Sequence, residues 1–128
     1  MEKNKILKMK PETKKWLELA KEDYDTAKYN FEGKKYRIAA FLCQQSVEKA
    51  LKSIMLEKIG KVRQIHDLVE LGREVGVRLD ILNELKDLTL AYVYSRYPDV
   101  IQVNNLKDKA SHFLEVCQEI LKWVEENL

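Results

Sequence analysis

Very little in this chain can stop a helix. Among 128 residues there are four glycines and two prolines: Gly33, Gly60, Gly72, Gly76, Pro11 and Pro98. Apolar side chains recur every three or four positions in the long stretches between these breaks, the period of a helix buried along one side. So few turn-forming residues favour long helices over many short strands. The expectation is an all-α protein.

Pro11 suits the first turn of a helix, and Trp16, Leu19, Ala20, Tyr24, Ala27 and Phe31 continue its apolar stripe to about Gly33. A second stripe runs from Lys35 through Tyr36, Ala39, Ala40, Cys43, Val47, Ala50, Leu51, Ile54 and Leu56 to Gly60, which stands where a C-terminal cap belongs. That helix would be about 36 Å long. The segment from His66 to Leu71 reads as a short helix with a polar start, stopped by Gly76. Ile81 to Ser95 forms the fourth helix, ended by Pro98. Asn104 or Asn105 then caps a fifth, whose stripe Leu106, Ala110, Phe113, Leu114, Cys117, Leu121, Val124 and Leu128 keeps the period to the end. Short connections between long helices force antiparallel neighbours, so the spacing predicts an up-and-down antiparallel four-helix bundle with one short additional helix. Residues 1–10 read as a disordered basic tail, and 11–128 as a single helical domain.

No apolar stretch approaches the roughly twenty residues of a membrane span, and the first ten residues lack the apolar block of a secretory signal. A cytoplasmic protein that does not engage membranes is the expectation. Cys43 and Cys117 occupy apolar helical positions, which reads as buried free thiols rather than a disulfide or metal site. With only His66 and His112 beside them there is no metal-ligand spacing, and no cofactor is implied. Helical carboxylate and His pairs at i, i+3, which a metal-carrying bundle would need, are lacking.

Charge is uneven beneath a net of +2. Residues 1–15 carry six Lys against two Glu, and Lys34 to Arg73 holds nine Lys or Arg against four acids. The second concentration reads either as a surface for phosphates or as an ordinary solvated face with acids interleaved. It overlaps the polar residues that a simple amphipathic helix would not need: Gln44, Gln45, Glu48 and Lys49 beside the second apolar stripe. Glu48 would pair with a cation such as Arg96 or Lys52, inside the bundle or at a dimer seam, or would sit on an exposed face with an ordinary i, i+4 partner. Further along, Arg96, Tyr97 and Asp99 bracket Pro98.

Three strings in this order, Gln-Gln-x-x-Glu-Lys-Ala-Leu-Lys at residues 44–52, His-Asp-Leu-x-x-Leu at 66–71 and Arg-Tyr-Pro-Asp at 96–99, together with Ala20, Asp23, Tyr24 and Ala27, resemble the HEPN family of prokaryotic proteins over roughly residues 14–126. The resemblance implies a helical bundle that forms homodimers. It also implies a partner, a minimal nucleotidyltransferase working with it as a two-component, toxin–antitoxin type module. Some members are metal-independent ribonucleases using an Arg followed, after four to six intervening residues, by a His. Here those positions after Arg96 hold Ile101, Gln102 and Val103.

Metal-free RNA cleavage needs a group to take the 2′-hydroxyl proton and another to stabilise charge on the phosphate. His66, Arg96, Tyr97 and Asp99 are the candidate set of that character, and Lys61, Arg63, His66 and Arg96 are the candidate contacts for nucleotide or RNA phosphate. The structural alternatives are a cap or hydrogen-bonded anchor for His66, a helix C-terminal cation for Arg96, and core or interface packing for Tyr92, Tyr94 and Tyr97. The reading is a partner- and nucleotide-binding component; the alternative is a ribonuclease toxin with a variant Arg/His site.

Overall fold

The computed structural model describes residues 8–96 and 105–128, with the backbone alone for 92–96. Among the described residues five helices follow one another: α1 (Pro11–Glu32), α2 (Tyr36–Ile59), α3 (Leu68–Val75), α4 (Leu79–Arg96) and α5 (Leu106–Asn127). Four are long and α3 has 8 residues, the all-α bundle that the spacing predicts.

Most boundaries have a local cause. Pro11 opens α1, where a missing N–H costs nothing. Gly60 closes α2 at φ 88° and Gly76 closes α3 at φ 82°, a backbone conformation that glycine adopts without strain. The start of α3 departs from expectation by two residues. Its cap is Asp67, whose Oδ1 accepts from the N–H groups of Val69 at 3.0 Å and Glu70 at 3.3 Å, so His66 lies outside the helix. Asn105 stands at the expected start of α5 but caps nothing with its side chain. It takes a left-handed conformation (φ 61°), which Asn tolerates better than most residues.

Cross-helix contacts set the directions. The Ser46 hydroxyl donates to the Ala20 carbonyl at 2.6 Å and Lys49 meets Asp23 at 2.5 Å, joining α1 and α2 as an antiparallel hairpin. Lys21–Glu125 ties α1 to α5, His112–Glu84 ties α5 to α4, and Arg78–Glu119 ties α5 to the residue just before α4. At the far end of α2, the Lys10 ammonium donates to the Leu56 carbonyl at 3.1 Å and its N–H to Glu57 Oε1 at 2.9 Å. That places a cation against the negative end of the helix. Met9 is buried in the core and Lys10 is bonded, while residues 1–7 of the expected tail lie outside the described residues.

α2 packs against all four other helices, and its stretch from Cys43 to Leu56 is almost wholly buried. A helix covered on every side is expected to be apolar all round, yet half of this stretch is polar or charged. Leu51, Ile54, Met55 and Val47 meet Phe113, Ile120 and Val124 of α5 and Leu85 and Leu88 of α4 in one continuous core. Cys43 and Cys117 are free, buried and hydrogen-bonded to each other; that bond and burial push the Cys43 thiol far above its ordinary range, which makes it inert as a nucleophile.

α3 lies so close to α4 that a Cβ on Gly72 would fall 2.6 Å from Leu85 Cδ1 and 3.0 Å from both Leu82 Cδ2 and Val77 Cγ2. Ala in place of Gly gains about 1 kcal/mol of helix propensity, against an overpacking cost of about 1–3 kcal/mol in a buried contact. Gly72→Ala is therefore expected to lower stability by about 1 kcal/mol, read as a reduced urea midpoint at unchanged slope. An unchanged or raised midpoint would show that the leucines yield freely.

Candidate functional site

Gln44, Glu48 and Lys52 are spaced at i, i+4 and i+8, which stacks them on one face of α2. That face is inside the protein. Gln44 is 0% exposed, Glu48 6% and Lys52 4%. Burial of a carboxylate is expensive unless each oxygen is partnered, and here both are. Glu48 Oε2 accepts from Lys52 Nζ at 3.2 Å; Oε1 accepts from Gln44 Nε2 at 3.4 Å and meets His66 Nδ1 at 2.9 Å. Gln45 Nε2 donates to Gln44 Oε1 at 2.6 Å, extending the chain of bonds. The Lys52 ammonium also lies 5.9 Å from the centre of the Trp16 ring, within cation–π range.

Glu48 thus pairs with Lys52 and not, as one expectation had it, on an exposed face; the i, i+4 pair exists, but buried. The network is internal to the chain and does not need a dimer seam to cover it. Lys49, on the neighbouring face, serves the α1–α2 hairpin through Asp23. His66 is the member that reaches solvent: its side chain is 65% exposed while its Nδ1 is held by a carboxylate only 8% exposed. Of the two structural roles considered for His66, the geometry gives the hydrogen-bonded anchor.

The basic turn behaves differently from expectation at one residue. Arg63 meets Glu74 and Glu70 of α3, and these bonds, Glu74 first, raise its pKa further. A guanidinium held by two carboxylates is not poised for phosphate. Lys61 lines a cavity with Met55, Ile59, Arg63 and Glu74. Arg96 is the last residue of α4 and its side chain lies outside what the structure describes, as do Tyr97, Asp99 and the side chains of Tyr92 and Tyr94. Asp67 and Val69, at the start of α3, share one groove with Lys86 and Thr89 of α4. His66 precedes Asp67 in the chain, and the α4 residues of that groove lie seven and ten positions before Arg96.

Sequence reading missed the Arg73 and Lys86 groove and the His112–Glu84 pair, since neither has a motif. The buried ladder did leave a signal, the i, i+4, i+8 spacing of Gln44, Glu48 and Lys52. Among the described residues, no three His, Cys, Asp or Glu side chains group so as to hold a metal ion, and no helix is long and apolar enough to cross a membrane.

This architecture is that of a known family. The HEPN domain matches residues 13–127, and the chain belongs to the HEPN domain family. Among solved structures it is similar to TT1696 from Thermus thermophilus, with 30% identity, a TM-score of 0.81 and coverage of 91% of this chain and 98% of the other. It is also similar to ST0689, described as an archaeal HEPN homologue, with 30% identity, a TM-score of 0.74 and coverage of 89% and 95%. No curated protein matches.

The network makes an asymmetric prediction. Glu48→Ala leaves Lys52 buried without its counter-charge and should cost about 3–5 kcal/mol, whereas Glu48→Met combined with Lys52→Met should restore most of the loss. His66→Ala, at an exposed ring, should cost less than about 1 kcal/mol. Urea unfolding of the variants measures all three. Equal losses for Glu48→Ala and His66→Ala would contradict the assigned burial.

Proposed function

We propose that this HEPN-family chain is a binding component rather than a catalyst. It pairs with a second copy of itself and with a minimal nucleotidyltransferase in a toxin–antitoxin type module, and it receives nucleotide or RNA phosphate near His66 and the end of α4. The supporting observation is the hold of Glu48 on His66. A buried carboxylate fixes the direction of an exposed imidazole, which when protonated donates from both nitrogens and suits an anion. The sequence supports binding over cleavage, because Ile101, Gln102 and Val103 stand where the ribonucleases of this family carry a His after the Arg.

Light scattering on the purified protein should give twice the 15.1 kDa chain mass, and a co-expressed minimal nucleotidyltransferase from the neighbouring gene should co-purify with it. A strict monomer that retains no such partner would overturn the partner reading.

One observation favours a second reading, a ribonuclease with a variant site. A neutral His66 donating from Nδ1 to Glu48 keeps its lone pair on Nε2, the arrangement of a general base oriented by a carboxylate. The expected result is no cleavage of RNA by nuclease-free protein with EDTA present. Metal-free cleavage that Arg96→Ala and His66→Ala each abolish, with the fold intact, would replace the binding reading by the catalytic one.

A further inference from the structure

Cations on α3, on α4 and in the connections before them fall into two groups. Arg63 is held by Glu70 and Glu74, and Arg78 by Asp80 and Glu119. Arg73 and Lys86 have no ion pair among the described residues, yet they line the same groove, of about 360 Å³, from opposite helices. Thr89, Val69 and Asp67 complete the lining. Two cations that line one groove repel, and neither is paired with a carboxylate among the described residues. The one acid in the lining, Asp67, keeps its charge while its Oδ1 accepts the N–H groups of Val69 and Glu70, so the lining carries two positive charges against one negative. That same bond occupies the first-turn amides of α3, so attraction for an anion in this groove comes from the two side chains and not from the helix end.

We propose that the α3–α4 groove is a phosphate site in which Arg73 and Lys86 grip, from two sides, the phosphate of a nucleotide, free or within a strand. This rests on the nucleotide-binding half of the function proposed above and is independent of the partner half. Arg73 offers a planar fork that matches two phosphate oxygens, and Lys86 a point charge opposite it. The Thr89 hydroxyl donates to the Leu85 carbonyl at 2.9 Å, so towards the groove its oxygen can only accept, as from a ribose hydroxyl. His66, anchored on Glu48, precedes the groove residue Asp67 in the chain.

The test is titration of the ¹⁵N-labelled full chain with inorganic phosphate, with AMP and with a short single-stranded RNA, at about 50 mM salt so that screening stays weak. Saturable amide shifts confined to residues 67–73 and 86–89 are expected. Arg73→Gln and Lys86→Gln should each weaken binding about tenfold, the loss of one charge-assisted bond. Both residues are exposed, so neither change should disturb the fold, and Arg78→Gln should leave binding unaltered. Tightest binding by AMP would identify a mononucleotide; tightest binding by RNA, with a steep salt dependence, would identify a strand. No saturable shift with any of the three, shifts centred outside the groove, or equal binding by the Arg73 and Lys86 variants would overturn the site. Failure to dimerise or to retain a nucleotidyltransferase would leave it standing.

Discussion

A carboxylate inside the central helix of a bundle has nowhere to turn for water. Glu48 sits on the helix that packs against all four others, so its charge must be answered by the protein itself. Lys52, one turn on, answers the charge; Gln44, one turn back, and His66, from another segment, complete the oxygens. The middle of α2 is thus both core and polar. Because one of these partners lies at the surface, the most buried helix of the fold is coupled directly to an exposed candidate residue.

That coupling also explains the path of the chain between α2 and α3. Gly60 ends α2 about 18 Å along the axis beyond Glu48, and His66 must be returned to the level of that carboxylate. Six residue steps of near-extended chain cover such a distance with little slack. α3 then retraces the direction of α2, which brings Glu70 and Glu74 beside Arg63. The basic turn is therefore stitched to α3, and the positive charge that looked available at Arg63 serves the connection. The cations left for another molecule lie on the far side of α3, towards α4.

Most of the architecture was legible because it rests on local rules. Helix period, a proline at a first turn, and glycines at Gly60 and Gly76 needed no tertiary information. The start of α3 was harder: His66 and Asp67 are both polar, and only the bond from Asp67 to two amides decides which of them is the cap. The site was legible in part. The string from Gln44 to Lys52 stood out as polar residues beside an apolar stripe, but its spacing fits an exposed salt-bridged face as well as a buried ladder. What separates the two is whether α1 and the segment before α3 cover that face. Trp16 and His66 do so from positions 32 residues upstream of Glu48 and 18 downstream, a relation no local pattern encodes. Arg73 and Lys86 look like any surface cations until the α3–α4 turn folds them against one another.

Gly72 touches nothing that enters the groove beside it, yet it governs the distance at which the two walls stand. Helix axes approach as near as the bulk between them allows, and here that bulk is a hydrogen atom. The gauge of the opening is consequently recorded one layer beneath its lining. Related chains that carry a larger side chain at the equivalent of position 72 would hold the same two cations farther apart, and so would favour a wider guest without any change in the residues that meet it.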